Sequence, residues 1–370
     1  MKTPLLKGWQ FSWRRLDSTL LFLLCLLLLS GLFITYSASG HNLGLVRHKS
    51  LHSLLGLLTL LILAQAPPRF YQTWAPYLYT GCLLLLLVVL WMGDTTKGAQ
   101  RWLTIGLLRF QPSELAKLVV PLMVAQLISD KPCPPTLGTA LYALLLLALP
   151  TLAVAWQPDL GTAILIAVSG LLILFLAGLP WQLIAAFLAL SAACIPGFWF
   201  FGLHDYQRMR LKMLFNPEQD PMGSGYHIIQ SKIAIGSGGL WGKGWLQGSQ
   251  SQLEFLPERH TDFIFSVVAE EQGLMGVSLL LFLYLAIILR GFVLAMRAQS
   301  AFGHLIIGGY TLLFFFYLFI NIGMVSGLLP VVGVPLPLIS YGGTSQIILM
   351  ASFGIMLSLH SHRQLLSKNI

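Results

Sequence analysis

The charged residues of this chain are concentrated in one polar, glycine-rich stretch, which separates apolar runs that end near Phe201 and begin near Phe263. The stretch closes on Glu-Arg-His-Thr-Asp at Glu258 to Asp262. Carboxylate and imidazole groups move protons, and guanidinium groups bind anions. Because only 9% of the residues are charged, this concentration predicts that the chemistry takes place here.

A second pair of charges lies inside an apolar run. Glu114 and Lys117 stand three residues apart near one end of the fourth run. At that spacing they share a face of a helix, so we expect an ion pair. Charges within a membrane span are costly and usually line a cavity or pathway, but a pair that only locks helices together explains them nearly as well. The sequence leaves both interpretations open.

Composition indicates the class of protein that positions these groups. Hydrophobic residues make up 56% of the 370 residues and the mean hydropathy is +0.78, more than a soluble core can bury. A membrane-spanning helix needs roughly 20 apolar residues. Ten such runs are centred near Leu27, Leu57, Leu85, Met123, Leu147, Leu171, Leu190, Leu281, Phe315 and Met350.

We therefore predict an all-α polytopic membrane protein with about ten transmembrane helices, organised as a single integral membrane domain over residues 1–370. A large extracytoplasmic loop is expected at residues 204–262, between the seventh and eighth helices. The four cysteines form neither a disulfide framework nor a metal-ligand spacing, so redox chemistry is not expected.

Basic residues predict the orientation. Four of them lie between Lys2 and Arg15, ahead of the first run, which places the N-terminus in the cytoplasm. An even number of spans returns the C-terminus to the same side. Lys97, Arg101 and Arg109 then lie in a short outer loop, against the positive-inside tendency. An anionic ligand at the outer surface explains them, and so does contact with lipid phosphates.

Three further features have structural as well as functional interpretations. Asp159 lies in a tight turn, where it can simply cap the sixth run. Glu270 and Glu271, two turns into the eighth run, must face a polar cavity, pair across helices or be protonated. In the long loop, residues 228–235 are expected to form a short amphipathic helix, followed by a flexible glycine-rich ribbon at 236–248.

Five segments of the chain resemble, in sequence and order, the signature segments of the shape, elongation, division and sporulation (SEDS) family. The resemblance extends from the first span to the last and is closer to the elongation members than to the division members. It implies a fold of ten transmembrane helices, the number of apolar runs counted here. The segments are Gln111-Pro-Ser-Glu114, Gln157-Pro-Asp-Leu-Gly-Thr162, Gly236-Ser-Gly-Gly-Leu-Trp-Gly-Lys-Gly244, Pro257-Glu-Arg-His-Thr-Asp-Phe-Ile-Phe265 and Ser340-Tyr-Gly-Gly-Thr-Ser345.

The resemblance implies a peptidoglycan glycosyltransferase that polymerises lipid II into glycan strands at the outer face of the cytoplasmic (inner) membrane, during cell elongation and rod-shape maintenance. The implied partners are lipid II, which is an undecaprenyl-pyrophosphate-linked disaccharide peptide, a class B penicillin-binding protein transpeptidase and the proteins of the elongation complex. Nucleic acid is not expected as a partner. The catalytic aspartate of the family corresponds to Asp262.

In such a reaction a sugar hydroxyl attacks the anomeric carbon of a sugar pyrophosphate, so the site must accept a proton and neutralise the leaving group. Asp262 is the predicted base because it stands where the polar loop meets an apolar run. Aspartate, with an ordinary pKa of about 3.9, is a weak base. Partial burial or a divalent cation, Mg²⁺ or Mn²⁺, is therefore expected. The competing interpretation is an N-cap on the following helix.

Basic residues are expected to bind the pyrophosphate, with Arg109 as first choice, since guanidinium groups bind phosphate oxygens bidentately. Glu254, Glu258 and His260 are expected to order the loop, ligate a cation or bind the acceptor sugar, although a solvated loop charge explains Glu258 better. The predicted substrate-binding set is Arg101, Arg109, Glu114, Lys117, Arg208, Arg210, Lys243, Glu254 and His260.

Two functions from other classes compete with this one. A lipid II flippase or transporter requires a polar track across the membrane midplane. Apart from Glu270, Glu271 and Asn321, however, the strongly polar groups lie toward one side of the predicted spans. A scaffold that only positions a transpeptidase would not explain a carboxylate at the membrane interface. The sequence favours surface chemistry over both.

Overall fold

The computed structural model describes residues 16–96, 99–105, 108–131, 134–197, 205–215, 224–253, 255–256 and 258–361. Its elements, in chain order, are α1 (Ser18–Ala38), α2 (Leu43–Gln65), α3 (Pro68–Met92), β1 (Asp94–Thr96), β2 (Ala99–Ile105), β3 (Leu108–Phe110), α4 (Pro112–Ser129), α5 (Leu137–Trp156), α6 (Leu160–Leu176), α7 (Trp181–Gly197), α8 (Asp205–Phe215), α9 (Ser224–Ser237), α10 (Ser249–Gln252), α11 (Ile264–Met296), α12 (Ala301–Val325) and α13 (Gly343–Ser361).

The ten predicted apolar runs correspond one to one to α1–α7 and α11–α13. Among the described residues, eight helices are long and apolar enough to cross a membrane. The other two, α6 and α7, have 17 residues each. At a rise of 1.5 Å per residue these two are about 25 Å long, slightly short of the roughly 30 Å hydrocarbon core. The predicted polytopic helical architecture is confirmed.

Local sequence signals explain where the helices begin. Asn42, Thr136 and Ser300 cap α2, α5 and α12, and their side-chain oxygens accept backbone N–H groups of the first turn. Pro68 and Pro112 stand at the first positions of α3 and α4. Proline is tolerated there because the N–H that it lacks would have no partner within the helix.

A three-stranded antiparallel sheet between α3 and α4 was not predicted and adds a small β element to the otherwise helical chain. β2 pairs with β1 on one side and with β3 on the other, and Thr104 stands opposite Arg109 in the β2–β3 pair. Residues 101–105, Arg-Trp-Leu-Thr-Ile, have the β-branched and aromatic side chains that favour strands. The strands were not predicted because the segment is short compared with the long apolar runs on either side of it.

Glycines let the helices of the bundle approach one another closely. A Cβ atom at Gly170 of α6 would lie 2.7 Å from Leu147 of α5, and one at Gly309 of α12 would lie 2.3 Å from Ile173 of α6. Helix contacts of this kind are typical of membrane proteins, where packing contributes more to association than the hydrophobic effect does. α4 and α12 are mostly buried, whereas less than a third of α2 and of α3 is buried.

The longest helix, α11, is interrupted at Gly273, whose φ of 62° and ψ of −162° are not helical. At the interruption, the last carbonyl groups of the first segment lose the backbone N–H groups, one turn further along, that would donate to them in a continuous helix. The backbone N–H groups of Lys243 and Gly244 replace those partners and donate to the carbonyls of Glu270 and Glu271, at 3.0 Å in both cases. Residues from the long loop thus complete the hydrogen bonding of this helix.

The second segment of α11 is completed in the same way. The N–H groups of Leu274 and Met275 donate to the carbonyls of Gly239 and Leu240, at 2.9 and 3.1 Å. A Cβ atom at Gly238 would lie only 1.9 Å from the carbonyl oxygen of Ala269. The ribbon expected to be flexible is therefore fixed by hydrogen bonds to α11 at residues 239–244, whereas the helix expected at residues 228–235 is confirmed as part of α9.

We predict that Gly238→Ala lowers the thermal unfolding temperature of the purified protein, with a loss of stability on the order of 1–3 kcal/mol, because the added methyl group overlaps backbone atoms. Gly236→Ala is the matched control, since a Cβ atom there meets nothing within 4 Å. It should leave the unfolding temperature unchanged or raise it slightly. Equal effects of the two substitutions would contradict the close approach of the ribbon to α11.

Candidate active site

The turn that precedes α11 is ordered by Glu258. Its carbonyl accepts the N–H groups of Thr261 and Phe263 at 3.2 Å each, and its carboxylate accepts the Thr261 hydroxyl at 2.8 Å. Glu258 is half-buried. The Glu258 side chain thus keeps part of its solvent exposure and also closes the turn in which Asp262 lies.

Asp262 is positioned through its backbone. Its carbonyl accepts the side-chain amide of Asn321 at 3.0 Å, and the same amide nitrogen donates to the Val334 carbonyl at 2.8 Å. A Cβ atom on Gly333 would lie 3.5 Å from Oδ2 of Asp262. The N-cap position of α11 is Phe263, without a side-chain cap, so the N-cap interpretation of Asp262 is wrong. The half-buried carboxylate lies beside the loop that follows α12.

The Ser340–Ser345 segment, for which the sequence suggested no chemistry, holds this turn from the other side. The hydroxyl of Ser340 donates to the Thr261 carbonyl at 2.5 Å, and the N–H of Tyr341 donates to the His260 carbonyl at 2.9 Å. The His260 and Tyr341 rings meet edge to face at 6.1 Å. Two successive residues of the turn, immediately before Asp262, are thus fixed by the loop that leads into α13.

The predicted ion pair between Glu114 and Lys117 is confirmed, with 2.6 Å between Nζ and Oε1 and side chains 8% and 4% exposed. Oε2 of Glu114 has no hydrogen-bond partner among the described residues. Nζ of Lys117 lies 4.8 Å from the centre of the Tyr317 ring. Because Tyr317 is one turn before Asn321 on α12, the pair contacts the same helix that holds Asp262.

Arg101 and Asp159 form another pair of predicted residues. Nε of Arg101 lies 3.3 Å from Oδ2 of Asp159, and Nη2 donates to the Pro158 carbonyl at 3.2 Å. Asp159 also accepts the N–H and the hydroxyl of Thr162, which confirms its role as the cap of α6. The charge of Arg101 is therefore balanced by a carboxylate of the protein.

The start of α6 packs against the loop beside Asp262. A Cβ atom at Gly161 would lie 2.8 Å from the carbonyl oxygen of Val332, the residue before Gly333. The Gln157–Thr162 segment, the turn before α11 and the loop after α12 therefore form one connected unit. Three of the five signature segments, which are far apart in the chain, meet around Asp262.

Lys243, predicted to bind pyrophosphate, pairs with Glu270. Its ammonium group lies 2.7 Å from Oε1 of Glu270 and donates to the Ser249 hydroxyl at 2.7 Å. Glu270 is completely buried and also accepts the N–H groups of Gln250 and Ser251. Of the three alternatives for Glu270, pairing across elements is the observed one. Nearby, both carboxylate oxygens of Glu271 lie 2.6 Å from the Ser37 hydroxyl.

The remaining predicted residues are only partly covered by the structure. Arg208 is half-buried on α8. Arg109 lies in β3 and Arg210 in α8, but their side chains are outside the described part of the chain, and Glu254 lies outside it altogether.

A bundle of apolar helices with a half-buried carboxylate at the junction of a polar loop and a span defines a polytopic membrane protein with a candidate site near one membrane face. Residues 17–365 match the cell cycle protein family that comprises FtsW, RodA and SpoVE. The chain belongs to this family. The resemblance found in the sequence is thus confirmed.

Individual relatives agree over nearly the whole chain. The peptidoglycan glycosyltransferase MrdB of Escherichia coli K12 is 58% identical, over 96% of either chain. A probable peptidoglycan glycosyltransferase FtsW of Geobacter metallireducens is 35% identical, over 93% of this chain and 94% of the relative. The higher identity to MrdB agrees with the predicted similarity to elongation members.

Solved structures share the fold. The rod shape determining protein RodA of Thermus thermophilus is 32% identical and aligns with a TM-score of 0.71, over 94% of this chain and 97% of its own. A chain of a peptidoglycan synthase complex that coordinates polymerization and crosslinking is 33% identical, with a TM-score of 0.83 over 95% of this chain and all of its own.

We predict that Lys117→Met lowers the unfolding temperature markedly, because it leaves the Glu114 carboxylate buried without its cation, a loss of about 3–5 kcal/mol. The double variant Glu114→Gln with Lys117→Met should recover most of that loss, since no charge is then buried. Thermal unfolding in detergent measures both. If the single variant melts like the wild type, the pair is not buried as described.

Proposed function

We propose that this chain, a membrane-bound peptidoglycan glycosyltransferase, polymerises lipid II into glycan strands at the outer face of the cytoplasmic membrane, with Asp262 as the base. The class of enzyme is supported by the 58% identity to MrdB over almost the full length. The proposal for the site rests on one observation. The half-buried carboxylate of Asp262 stands at the start of an apolar helix, and its turn is held by Asn321, Ser340 and Tyr341.

The proposed reaction is a direct displacement. The acceptor hydroxyl oxygen forms a bond to the anomeric carbon of the donor sugar, while the bond from that carbon to the pyrophosphate oxygen breaks. The hydroxyl proton passes to the Asp262 carboxylate, and the electron pair leaves with the undecaprenyl pyrophosphate. One base suffices, because a pyrophosphate screened by cations departs without protonation, unlike the leaving group of a glycoside hydrolase. A fixed turn increases the rate by holding the base in one geometry.

Cationic side chains are proposed to neutralise the leaving pyrophosphate. Arg101 and Lys243 already balance Asp159 and Glu270, so we assign them a supporting role. Arg109, Arg208 and Arg210 are the other candidates for phosphate contact, because guanidinium groups bind phosphate oxygens bidentately. Arg109 remains our first choice, because β3 leads directly into α4, so that Arg109 stands three residues before Pro112 and close in the chain to the buried Glu114–Lys117 pair.

A divalent cation, Mg²⁺ or Mn²⁺, remains a proposal. Among the described residues no three His, Cys, Asp or Glu side chains converge in a way that could hold a metal ion. Magnesium bound by one or two carboxylates together with substrate phosphates needs no such cluster. In that arrangement Asp262 would be the protein ligand, and the cation would supply charge neutralisation at the pyrophosphate.

The placement of charge argues against a lipid II flippase. Glu114 is the third residue of α4, and Lys49 and Glu270 are the seventh of α2 and α11. At 1.5 Å per residue all three lie within about 10 Å of the same membrane face, short of a midplane at roughly 15 Å. At the opposite face Arg290 pairs with Asp17. The described residues between these levels provide no continuous charged track.

We further propose that both termini are cytoplasmic and that the protein acts with a class B penicillin-binding protein and the elongation complex. The first part follows from the basic N-terminal segment and ten spans. For the second, the support is that a similar chain forms part of a peptidoglycan synthase complex in which polymerization and crosslinking are coordinated.

Asp262→Asn tests the proposed base. Reconstituted with its class B partner and purified lipid II, this variant should lose polymerisation by at least about 100-fold, in the range of general base catalysis, while it still binds lipid II. The matched control is Asp130→Asn, which should keep full activity. Asp130 is an exposed aspartate at the end of α4 and is remote from Asp262 in the chain. Parallel reactions with Mg²⁺, Mn²⁺ and chelator test the cation.

Normal polymer from Asp262→Asn would remove this residue from the chemical step. A wild-type protein that binds lipid II but makes no polymer with either Mg²⁺ or Mn²⁺ would contradict the enzymatic proposal. Transport of lipid II across vesicle membranes, measured on the same preparation, would then favour the flippase.

The double variant Glu114→Gln with Lys117→Met separates the two interpretations of that pair. If the pair lines the substrate cavity, polymerisation falls at least about tenfold although the unfolding temperature is near that of the wild type, because transition-state electrostatics are lost. A fully active double variant would show that the pair only stabilises the helices. Initial rates at equal folded amount are the measurement.

A further inference from the structure

Lys49 is a lysine buried within α2, only 1% exposed. Its ammonium group donates to the Gly31 carbonyl at 2.9 Å, to the Thr35 hydroxyl at 2.6 Å and, in a short contact, to the Ile339 carbonyl. All three N–H donors of the ammonium group are used, and each acceptor is a neutral oxygen atom. Among the described residues no carboxylate forms an ion pair with it.

A buried cation without a counterion is costly, and an apolar side chain would fill the same space without that cost. What the ammonium group provides is the connection of three chain segments at one point. It joins α1, through Gly31 and Thr35, to the loop before α13, through Ile339. Hydrogen bonds from a charged donor are stronger than those between neutral groups.

The loop needs such an anchor at this position. Leu338 has a φ of 62°, in the left-handed region that a side chain with a Cβ atom rarely adopts. A Cβ atom at Gly31 would lie 2.8 Å from the Leu338 carbonyl oxygen and 3.2 Å from Nζ of Lys49. The unfavourable backbone conformation persists because its surroundings hold it in place.

The anchored residue directly precedes the two that hold the catalytic turn. After Ile339 come Ser340, which donates to the Thr261 carbonyl, and Tyr341, which donates to the His260 carbonyl. From the ammonium group of Lys49 to Thr261, the residue before Asp262, the path thus consists of two hydrogen bonds joined by the Ile339–Ser340 peptide unit and the Ser340 side chain.

We propose that Lys49 is a positioning residue for the glycosyltransferase reaction, acting through Ile339–Tyr341 to hold the Glu258–Asp262 turn. This inference rests on the proposed function. Because its side chain is buried, Lys49 is not expected to touch substrate. Its removal should therefore lower the rate of the chemical step and leave substrate affinity nearly unchanged.

The test is Lys49→Met, which keeps the length of the side chain and removes its donors, assayed as initial rates of lipid II polymerisation. We expect kcat to fall at least about tenfold with KM for lipid II within about twofold, since fixed geometry affects the transition state more than binding. The matched control is Lys131→Met, at an exposed lysine after α4, which should leave kcat and KM unchanged.

A double-mutant cycle identifies the path. If Lys49 acts through the loop, adding Ser340→Ala to Lys49→Met should reduce kcat little further than either substitution does alone. Should Lys49→Met not fold, Thr35→Val replaces it in the cycle. This variant removes one of the three acceptors and should lower kcat by a smaller factor, again without a change in KM.

A variant with full activity, a loss confined to KM, or effects that multiply independently with Ser340→Ala would overturn the proposal. These outcomes differ from failure of the proposed function, in which the wild type makes no polymer or Asp262→Asn is as active as the wild type.

Discussion

The hydrogen bonding of α11 is the constraint on which the arrangement around Asp262 depends. Inside a bilayer every backbone N–H and C=O group needs a partner within the protein. The interruption at Gly273 frees such groups, and residues 239–244 of the long loop satisfy them. The salt bridge from Lys243 to Glu270 adds a charged contact at the same place. The first segment of α11, with Asp262 just ahead of it, is thereby attached to the loop.

A second set of contacts fixes the backbone at Asp262 against the rest of the bundle. Asn321 of α12 holds the carbonyl of Asp262, and the loop before α13 holds the two preceding carbonyls. Lys49 anchors that loop to α1. Elements from both ends of the chain thus determine where one aspartate lies, and this is what its proposed role as general base requires, because proton transfer depends closely on distance and angle.

Charged side chains near one face of the bundle are also held by contacts within the protein. Arg101 with Asp159, Lys117 with Glu114 and Lys243 with Glu270 form pairs near one face of the bundle. Such pairing stabilises cations that would be costly alone at this depth. Two of the predicted anion-binding residues, Arg101 and Lys243, therefore have their charge balanced within the protein.

The sequence by itself determined the class of protein, the ten helices, the Glu114–Lys117 pair and the cap at Asp159, because hydropathy, helical spacing and capping depend on residues a few positions apart. It did not reveal the small sheet, the role of Glu258, the pairing of Lys243 or the use of the Ser340–Ser345 segment. Those features depend on hydrogen bonds between distant residues, such as 79 positions from Thr261 to Ser340 and 290 from Lys49 to Ile339. Only the tertiary structure decides such contacts, since local patterns carry no information about which segments meet in space.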